Sequence, residues 1–135
     1  MITQAKAIAF ISTPSLYFGV PPEHRQHCHL FEFDTKWKED AGYHFYDFNQ
    51  PSAIDPLLLG KFDMVVMDPP FITSEVIRNY AHTAKLLSPE GKVLMTTVPE
   101  NAALIMELFG ASPQPFLPSV PNLVYQVRLL LEILR

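Results

Sequence analysis

The fold of this chain is decided by one stretch, Phe62-Asp63-Met64-Val65-Val66-Met67-Asp68-Pro69-Pro70-Phe71. Residues 62–68 form a nearly continuous apolar run, which is typical of a strand at the centre of a parallel sheet with both faces covered. The two prolines that follow have no backbone N–H, so they cannot continue the hydrogen-bond ladder of the sheet. The stretch therefore predicts a buried strand that ends in a stiff turn beside the carboxylate of Asp68.

Shorter apolar and aromatic runs predict further elements on both sides of this strand. Strands are predicted at residues 7–12, 29–34, 43–48 and 92–98. Helices are predicted at residues 15–20, 73–87 and 99–109, and Thr73 or Ser74 is the expected N-cap of the second. Strands that alternate with helices predict an α/β fold with a mostly parallel sheet. Residues 123–131 predict a sixth and a seventh strand at an antiparallel end, although their final residues suit a helix equally.

Length and composition place the chain among folded globular proteins. We expect a single domain over residues 1–135, because this length suits one hydrophobic core. Hydrophobic residues make up 48% and charged residues 18% of the chain, which is not the composition of a disordered tail. The sequence has neither an apolar run of about 18 residues nor the pattern of a signal peptide. These features predict a soluble, cytoplasmic protein that does not enter a membrane.

The distribution of charge makes nucleic acid the less favoured partner. The formal net charge is -4, and the ten Lys and Arg residues are scattered along the chain. A protein that grips a phosphate backbone gains most of its affinity from clustered Lys and Arg. The densest basic segment is only Lys36-Trp37-Lys38, in which we interpret Trp37 as a packing residue at the edge of the site.

One short segment contains four residues that could bind a metal: His24, His27, Cys28 and His29. Neighbouring residues of a single segment rarely converge on a tetrahedral site, and the sequence offers no second ligand cluster. Cys28 is the only cysteine, which excludes an intrachain disulfide and a four-cysteine zinc site. We therefore expect no metal.

Asp68-Pro69-Pro70-Phe71 has the chemistry that methyl transfer to an amino group requires. Such a transfer needs the nitrogen lone pair held in line with a sulfonium methyl group. The Asp68 carboxylate and the Pro69 carbonyl can each accept one N–H of the target and leave the third direction aimed at the methyl. Pro70 keeps the turn stiff, and Phe71 offers a flat wall to a planar base or a lysine stem. The alternative is an ordinary turn that ends a strand.

Acids at the ends of predicted strands indicate a site for S-adenosylmethionine, because ligands of parallel α/β sheets bind at the carboxyl ends of the strands. Asp34 ends the second strand, where a carboxylate can accept both hydroxyls of a ribose, and Glu32 is the reserve candidate on the same face. The alternative for Asp34 is a solvated acid at a strand end. Asp47 is the candidate for the adenine amino group, with Phe48 packing on the ring, although Asp47 can equally initiate a turn.

The loop after the first strand is the place for the amino-acid end of the cofactor. Its candidate residues are Ser12, Pro14 and Ser15. The loop has no Gly-x-Gly to let the backbone approach a pyrophosphate, which disfavours a dinucleotide. S-adenosylmethionine has no pyrophosphate, so serine hydroxyls and backbone amides suffice.

Together these motifs resemble a eukaryotic family first described as N6-adenine DNA methyltransferases and now associated with lysine methylation of translation elongation factor 1-alpha. The segments that carry the resemblance are Ser12–Tyr17, Phe31–Asp34, Phe45–Asn49 and Phe62–Phe71. The resemblance implies the class I S-adenosylmethionine-dependent methyltransferase fold, which is Rossmann-like, with a mostly parallel seven-stranded sheet and an antiparallel C-terminal strand. Family members carry helical sequence ahead of the first strand, whereas here Met1 precedes it closely, so we expect a domain without that extension.

Three functions follow as hypotheses. The first is methylation of a protein lysine, with an elongation factor as the partner, because an acidic motif attracts a lysine cation. The second is N6-adenine methylation of DNA or RNA, which would require a basic partner subunit. The third is a non-catalytic binding module that retains the fold. The sequence carries no signal for an oligomeric state.

Overall fold

The computed structural model describes residues 7–69, 73–90, 92–97, 102–109, 113–114 and 129–133. Its strands are β1 (Ile8–Ile11), β2 (Cys28–Glu32), β3 (Tyr43–Phe45), β4 (Met64–Met67), β5 (Lys92–Thr97), β6 (Pro113–Gln114) and β7 (Leu129–Ile133). Its α-helices are α1 (Pro14–Gly19), α2 (Ser74–Leu87) and α3 (Ala102–Phe109). Short 3-10 helices lie in the described connections, at Pro22–His27, Thr35–Trp37 and Pro56–Leu58.

The strands form one sheet in the order β3-β2-β1-β4-β5-β7-β6. β1 pairs in parallel with β2 and with β4, and the β2–β3 and β4–β5 pairs are also parallel. β7 runs antiparallel to both β5 and β6. The prediction of a mostly parallel, Rossmann-like α/β sheet is therefore confirmed.

The sheet is covered on both faces, as the apolar run in β4 predicts. Every residue of β1 and β4 is buried. On one face, alternate strand residues pack with Ile77 and Ala84 of α2 and with Phe109 of α3. On the other face, the remaining strand residues pack with Tyr17 of α1. The core therefore lies in two layers around the parallel strands.

α2 begins at the predicted cap. The Thr73 hydroxyl accepts a hydrogen bond from the Val76 amide at 3.4 Å, and Glu75 lies in the first turn, where the helix dipole favours an acid. The residues predicted for its inner face are all buried: Val76, Tyr80, Ala84 and Leu87. α2 has 14 residues, and no helix in the described part of the chain is long and apolar enough to cross a membrane.

Three strand predictions need correction. β2 ends at Glu32 and β3 at Phe45, whereas the sequence predicts strands up to residues 34 and 48. In both places an aspartate accepts a hydrogen bond from a nearby backbone amide, which starts a turn instead of extending the strand. The sixth described strand lies at Pro113–Gln114, ahead of the segment 123–131, and β7 at Leu129–Ile133 overlaps the end of that segment. Residues 98–101 and 115–128 lie outside the described residues.

Candidate active site

A cavity of about 370 Å³ opens at the carboxyl ends of β1 and β2, beside the turn that follows β3. We call it the carboxyl-edge cavity. Its lining residues are Ser12, Glu32, Phe33, Tyr46, Asp47, Phe48, Asn49 and Tyr80. The volume lies within the range of small-molecule sites, about 300–1,000 Å³. The structure thus brings together four of the residues predicted for the cofactor: Ser12, Glu32, Asp47 and Phe48.

Ser12 turns the chain sharply at the end of β1. Its φ angle is 59°, in the left-handed region that residues other than glycine rarely occupy. Its amide donates to the Phe31 carbonyl at 2.8 Å, which extends the pairing of β1 with β2. Its Oγ lies 2.6 Å from the phenol oxygen of Tyr80, and either oxygen can donate. Strained backbone of this kind is concentrated at functional sites.

Tyr80 lines the cavity from α2. Only 1% of its surface is exposed, and its ring centroid lies 5.6 Å from that of Tyr46 and 5.9 Å from that of Phe48. Burial raises the pKa of Tyr80 well above its ordinary value, the bond to Ser12 opposes that rise, and the nearby carboxylates of Glu32 and Asp68 add to it. The phenol therefore keeps its proton at neutral pH.

Tyr46 and Thr83 form a second buried hydroxyl pair next to the cavity. Their oxygens are 2.7 Å apart, and Thr83 Oγ1 also lies 3.0 Å from the Pro51 carbonyl. Because a carbonyl only accepts and Thr83 has one proton, Thr83 donates to a carbonyl and Tyr46 donates to Thr83. Burial is the main cause that raises the pKa of Tyr46 to about 12. The pair joins the segment after β3 to α2.

The structure separates the two acids predicted for the ribose. Glu32 ends β2 and lines the cavity, and its Oε2 accepts a hydrogen bond from the Asp34 amide at 2.7 Å. Asp34 is exposed and lies outside the lining, and its Oδ1 caps the 3-10 helix Thr35–Trp37 through the Lys36 amide. Of the two acids, only Glu32 therefore lines the cavity, because β2 ends two residues earlier than predicted.

Asp47 and Phe48 line the cavity from the turn after β3. Asp47 Oδ1 accepts a hydrogen bond from the Asn49 amide at 2.9 Å, so Asp47 also initiates the turn that was its alternative interpretation. The two roles are compatible, because a carboxylate has two oxygens that can each accept more than one hydrogen bond. Phe48 is half-buried and packs against Tyr80.

The register of the sheet brings Asp68 level with the cavity. Ile11 of β1 pairs with Phe31 of β2 and with Met67 of β4. The residues that directly follow these pairs, Glu32, Ser12 and Asp68, therefore lie at the same edge of three neighbouring strands. The negative charge of Asp68 is also one of the causes that raise the pKa of Tyr80. The motif acid and the cavity thus share one edge of the sheet.

The motif itself is described only in part. Asp68 is half-buried and Pro69 is buried, directly after β4. Pro70 and Phe71 lie outside the described residues, so their predicted roles stay predictions.

Pro14 and Ser15 do not line the carboxyl-edge cavity. Pro14 is the first residue of α1, where the fixed φ of proline suits a helix start. Ser15 is exposed and lines a separate, mainly apolar hollow of about 450 Å³, next to Phe10 and Cys28 on the α1 side of the sheet. Of the three residues predicted for this loop, only Ser12 reaches the carboxyl-edge cavity.

The histidine-rich segment has a different arrangement from a metal centre. Among the described residues, no three His, Cys, Asp or Glu side chains lie close enough to hold a metal ion. His29 Nδ1 lies 2.8 Å from His44 Nε2, and the two rings stack with centroids 5.1 Å apart. Burial lowers the pKa of both rings and raises the pKa of the Cys28 thiol. These residues are therefore packed as neutral groups.

Sequence reasoning missed half of the cavity lining: Phe33, Tyr46, Asn49 and Tyr80. Tyr80 was identified only as a core position, because its spacing from Val76 and Ala84 is that of an apolar helix face. A buried phenol needs a hydrogen-bond partner, and that requirement is the signal by which Tyr80 could have been found.

Solved structures with the same fold include methyltransferases. The ribosomal protein L11 methylase of Lactobacillus delbrueckii subsp. bulgaricus matches 96% of this chain and 70% of its own, with a TM-score of 0.58 and 10% identity. An O-methyltransferase family protein of Burkholderia thailandensis matches 98% of this chain and 52% of its own, with a TM-score of 0.58 and 11% identity. Identities this low show the fold alone, which is the Rossmann-like methyltransferase fold.

Other relatives share a higher sequence identity with this chain. The chain is 35% identical to EEF1A lysine methyltransferase 1 of Bos taurus over 119 residues, which are 82% of this chain and 50% of the bovine protein. It therefore spans about half the length of that relative. The sequence pattern of a family described as "Probable N6-adenine methyltransferase" matches residues 1–132. Because this match covers nearly the whole chain, the protein belongs to that family, as the motifs suggest.

Proposed function

We propose that this protein transfers a methyl group from S-adenosylmethionine to a lysine nitrogen of another protein, and that the substrate is a translation elongation factor. The observation that carries the proposal is the alignment of Glu32, Ser12 and Asp68 at one edge of the sheet. This placement puts the carboxyl-edge cavity, which suits a small molecule, next to the motif that suits an amine. Methyl transfer needs such a placement, because donor and acceptor must meet in line.

The residues of the carboxyl-edge cavity fit the cofactor by their chemistry. The Glu32 carboxylate can accept both ribose hydroxyls, and Asp47 can accept the amino hydrogens of adenine. Phe48 offers an aromatic face to the ring, and Ser12 offers a hydroxyl to the amino-acid end. When bound there, S-adenosylmethionine would supply a methyl group activated by a positively charged sulfur, whose charge these acids favour.

Asp68 and Pro69 would prepare the acceptor nitrogen. The Asp68 carboxylate attracts a lysine ammonium group, which must lose one proton to solvent before it can react. The two remaining N–H groups are then accepted by the Asp68 carboxylate and the Pro69 carbonyl, so that the lone pair points away from both. With S-adenosylmethionine bound, Asp68 and Pro69 would thus aim the nitrogen at the methyl carbon, which the nitrogen would take up as the carbon–sulfur bond broke and its electron pair stayed on sulfur.

Charge and surface features favour a protein substrate over nucleic acid. The chain is acidic overall, with a net charge of -4. In its densest basic segment, the Lys36 ammonium lies 4.2 Å from the centroid of the Trp37 ring, which packs against Phe18. Trp37 is therefore a packing residue and not an open platform for bases. The bovine relative, moreover, is named as a lysine methyltransferase.

N6-adenine methylation of nucleic acid is the second candidate, because the description of the family names it. The exocyclic amino group of adenine also has two N–H groups that Asp68 and Pro69 could accept. This function would require basic residues beyond those clustered here, for example from a partner subunit.

One experiment separates these functions. Purified protein is incubated with radiolabelled S-adenosylmethionine and a cell extract, and the label in protein, RNA and DNA is measured separately. We expect label on lysine in a band that an antibody against elongation factor 1-alpha removes. Label in RNA or DNA with unlabelled protein would refute the lysine proposal and support the adenine alternative.

Two variants at opposite ends of β4 supply the matched control. Asp68→Asn should lower transfer by about 100-fold, because a neutral amide does not attract the lysine ammonium group and orients the amine less firmly than a carboxylate. Asp63→Asn should retain transfer, since Asp63 lies at the amino end of β4 and accepts a bond from the Ala7 amide, which an amide oxygen can also accept. If wild-type protein shows no affinity for S-adenosylhomocysteine in calorimetry, the non-catalytic binding module is favoured instead.

A further inference from the structure

We infer that Tyr80 is a positioning residue that holds the Ser12 hydroxyl toward the amino-acid end of the cofactor. This inference rests on the proposed function. It adds a residue of α2 to a site whose predicted residues all lie at the ends of strands or in the segments that follow them. It is carried by three observations, which concern the backbone of Ser12, the rigidity of Tyr80 and the direction of the proton between them.

The backbone of Ser12 is the first observation. A serine at φ 59° occupies a conformation that costs about 1–2 kcal/mol, and no other non-glycine residue in the described part of the chain has a positive φ. This conformation bends the chain away from β1 and directs Oγ to Tyr80. Strain of this size persists only where surrounding contacts hold it. The bond to Tyr80 is such a contact.

Tyr80 is fixed more firmly than Ser12. Its side chain is buried, and aromatic rings of Tyr46 and Phe48 pack against it. Tyr46 is itself bonded to Thr83, three residues further along α2. Ser12, by contrast, is partly exposed at the cavity. Of the two partners, Tyr80 is therefore the fixed one, and the position of the Ser12 hydroxyl follows from it.

The proton between the two oxygens has a preferred direction. Burial raises the pKa of the phenol, and the charges of Glu32 and Asp68 add to that effect, so Tyr80 stays protonated. A phenol is a better donor than an aliphatic alcohol, so Tyr80 donates to Ser12. The proton of Ser12 is then left for an acceptor in the cavity. A carboxylate, as at the amino-acid end of S-adenosylmethionine, is the acceptor that this donor suits best.

The test compares two ligands that share the nucleoside but differ at this end. S-adenosylhomocysteine has the amino-acid end, and 5′-methylthioadenosine lacks it. Calorimetry should show that Tyr80→Phe binds S-adenosylhomocysteine about 5-fold more weakly than wild type, which is the effect of losing one hydrogen bond. The affinity for 5′-methylthioadenosine should be unchanged. A purely structural loss would weaken both ligands.

Ser12→Ala and the double variant complete the cycle. Ser12→Ala alone should cause a similar loss for S-adenosylhomocysteine, and the double variant should lose no more than either single one, because both remove the same interaction. Tyr17→Phe is the matched control. Tyr17 is equally buried and donates its phenol to Asp40, but it lies on the other face of the sheet, so its removal should leave both affinities unchanged.

The outcomes separate this inference from the proposed function. If wild-type protein binds neither ligand, the proposed function is wrong and the inference with it. If wild type binds S-adenosylhomocysteine and Tyr80→Phe binds it as tightly, only the inference is overturned. Should Tyr80→Phe fail to fold, Ser12→Ala decides, because wild-type affinity in that variant would also overturn the inference. Additive losses in the double variant would show that Tyr80 does not act through Ser12.

Discussion

Replacing Ser12 by alanine and by glycine should reverse the usual stability order of these two residues. Both substitutions remove the Oγ that bonds to Tyr80, so both lose the same hydrogen bond. They differ in the backbone, because Ser12 has a φ angle of 59°. Alanine retains the strain of that conformation, whereas glycine, without a Cβ, adopts it freely. We expect the glycine variant to be the more stable of the two.

The magnitude follows from two opposing terms. Left-handed backbone costs an alanine about 1–2 kcal/mol. Glycine in place of alanine costs about 0.5–1 kcal/mol through the entropy of the unfolded chain. The glycine variant should therefore exceed the alanine variant by about 0.5–1 kcal/mol in free energy of unfolding. Both should fall below wild type by about 1–3 kcal/mol through the lost bond and the unsatisfied Tyr80 hydroxyl, with glycine nearer to wild type.

Urea denaturation followed by Trp37 fluorescence measures this difference, because Trp37 is the only tryptophan and packs against Phe18. Ser15 provides the control. It is exposed and helical, in α1, so there the alanine variant should be more stable than the glycine variant by about 0.5–1 kcal/mol. The reasoning is refuted if the alanine variant is the more stable of the two at both positions.

Two further predictions concern the rest of the fold. Burial lowers the pKa of His29 and His44 below 6.5, so at mildly acidic pH the unfolded chain binds more protons than the folded one. The stability that these neutral rings contribute is therefore present above about pH 6.5 and is lost as the pH falls through their lowered pKa values. Tm measured from about pH 7 to about pH 5 should therefore fall less steeply in His44→Asn than in wild type, and an equally steep fall in both would contradict this. Gly60→Ala should lower the free energy of unfolding by about 1 kcal/mol, because Gly60 has a φ of 70°. Gly19→Ala should raise the free energy of unfolding by about 0.5 kcal/mol, because a methyl there enters open space in a helix. Urea denaturation measures both variants, and effects of the same sign would contradict one of the two predictions.

The parallel sheet could be predicted because burial on both faces leaves a strong mark in the sequence. The apolar run of β4 is compatible with few other structures, and Pro69 directly after it marks where the strand ends. The ends of β2 and β3 were harder to predict. An acid after an apolar run can extend a strand or start a turn. Which of the two occurs depends on whether a nearby backbone amide donates to the acid, and the sequence does not show this. For this reason the sequence alone favours Asp34 over Glu32 as the residue that binds the ribose.

The structure brings predicted residues together where one rule applies, and the prediction is incomplete where two elements meet. The acids were found because ligands of parallel sheets bind at the carboxyl ends of the strands. Tyr80 was not, because a residue on the inner face of a helix has the same periodicity whether it fills the core or reaches a cavity. Only the register of the sheet, which pairs Ile11 with Met67, brings the end of β1 level with Asp68.

The phenols at this edge are themselves an argument that the edge is functional. A phenylalanine would fill the places of Tyr46 and Tyr80 with nearly the same volume and would not need a hydrogen-bond partner. The sequence instead retains two buried hydroxyls and supplies each with a partner, Thr83 and Ser12. The Ser12 partner is reached only through a strained backbone. A buried phenol whose partner lies on strained backbone beside Asp68 therefore supports the proposal that the position of the Ser12 hydroxyl serves a bound ligand.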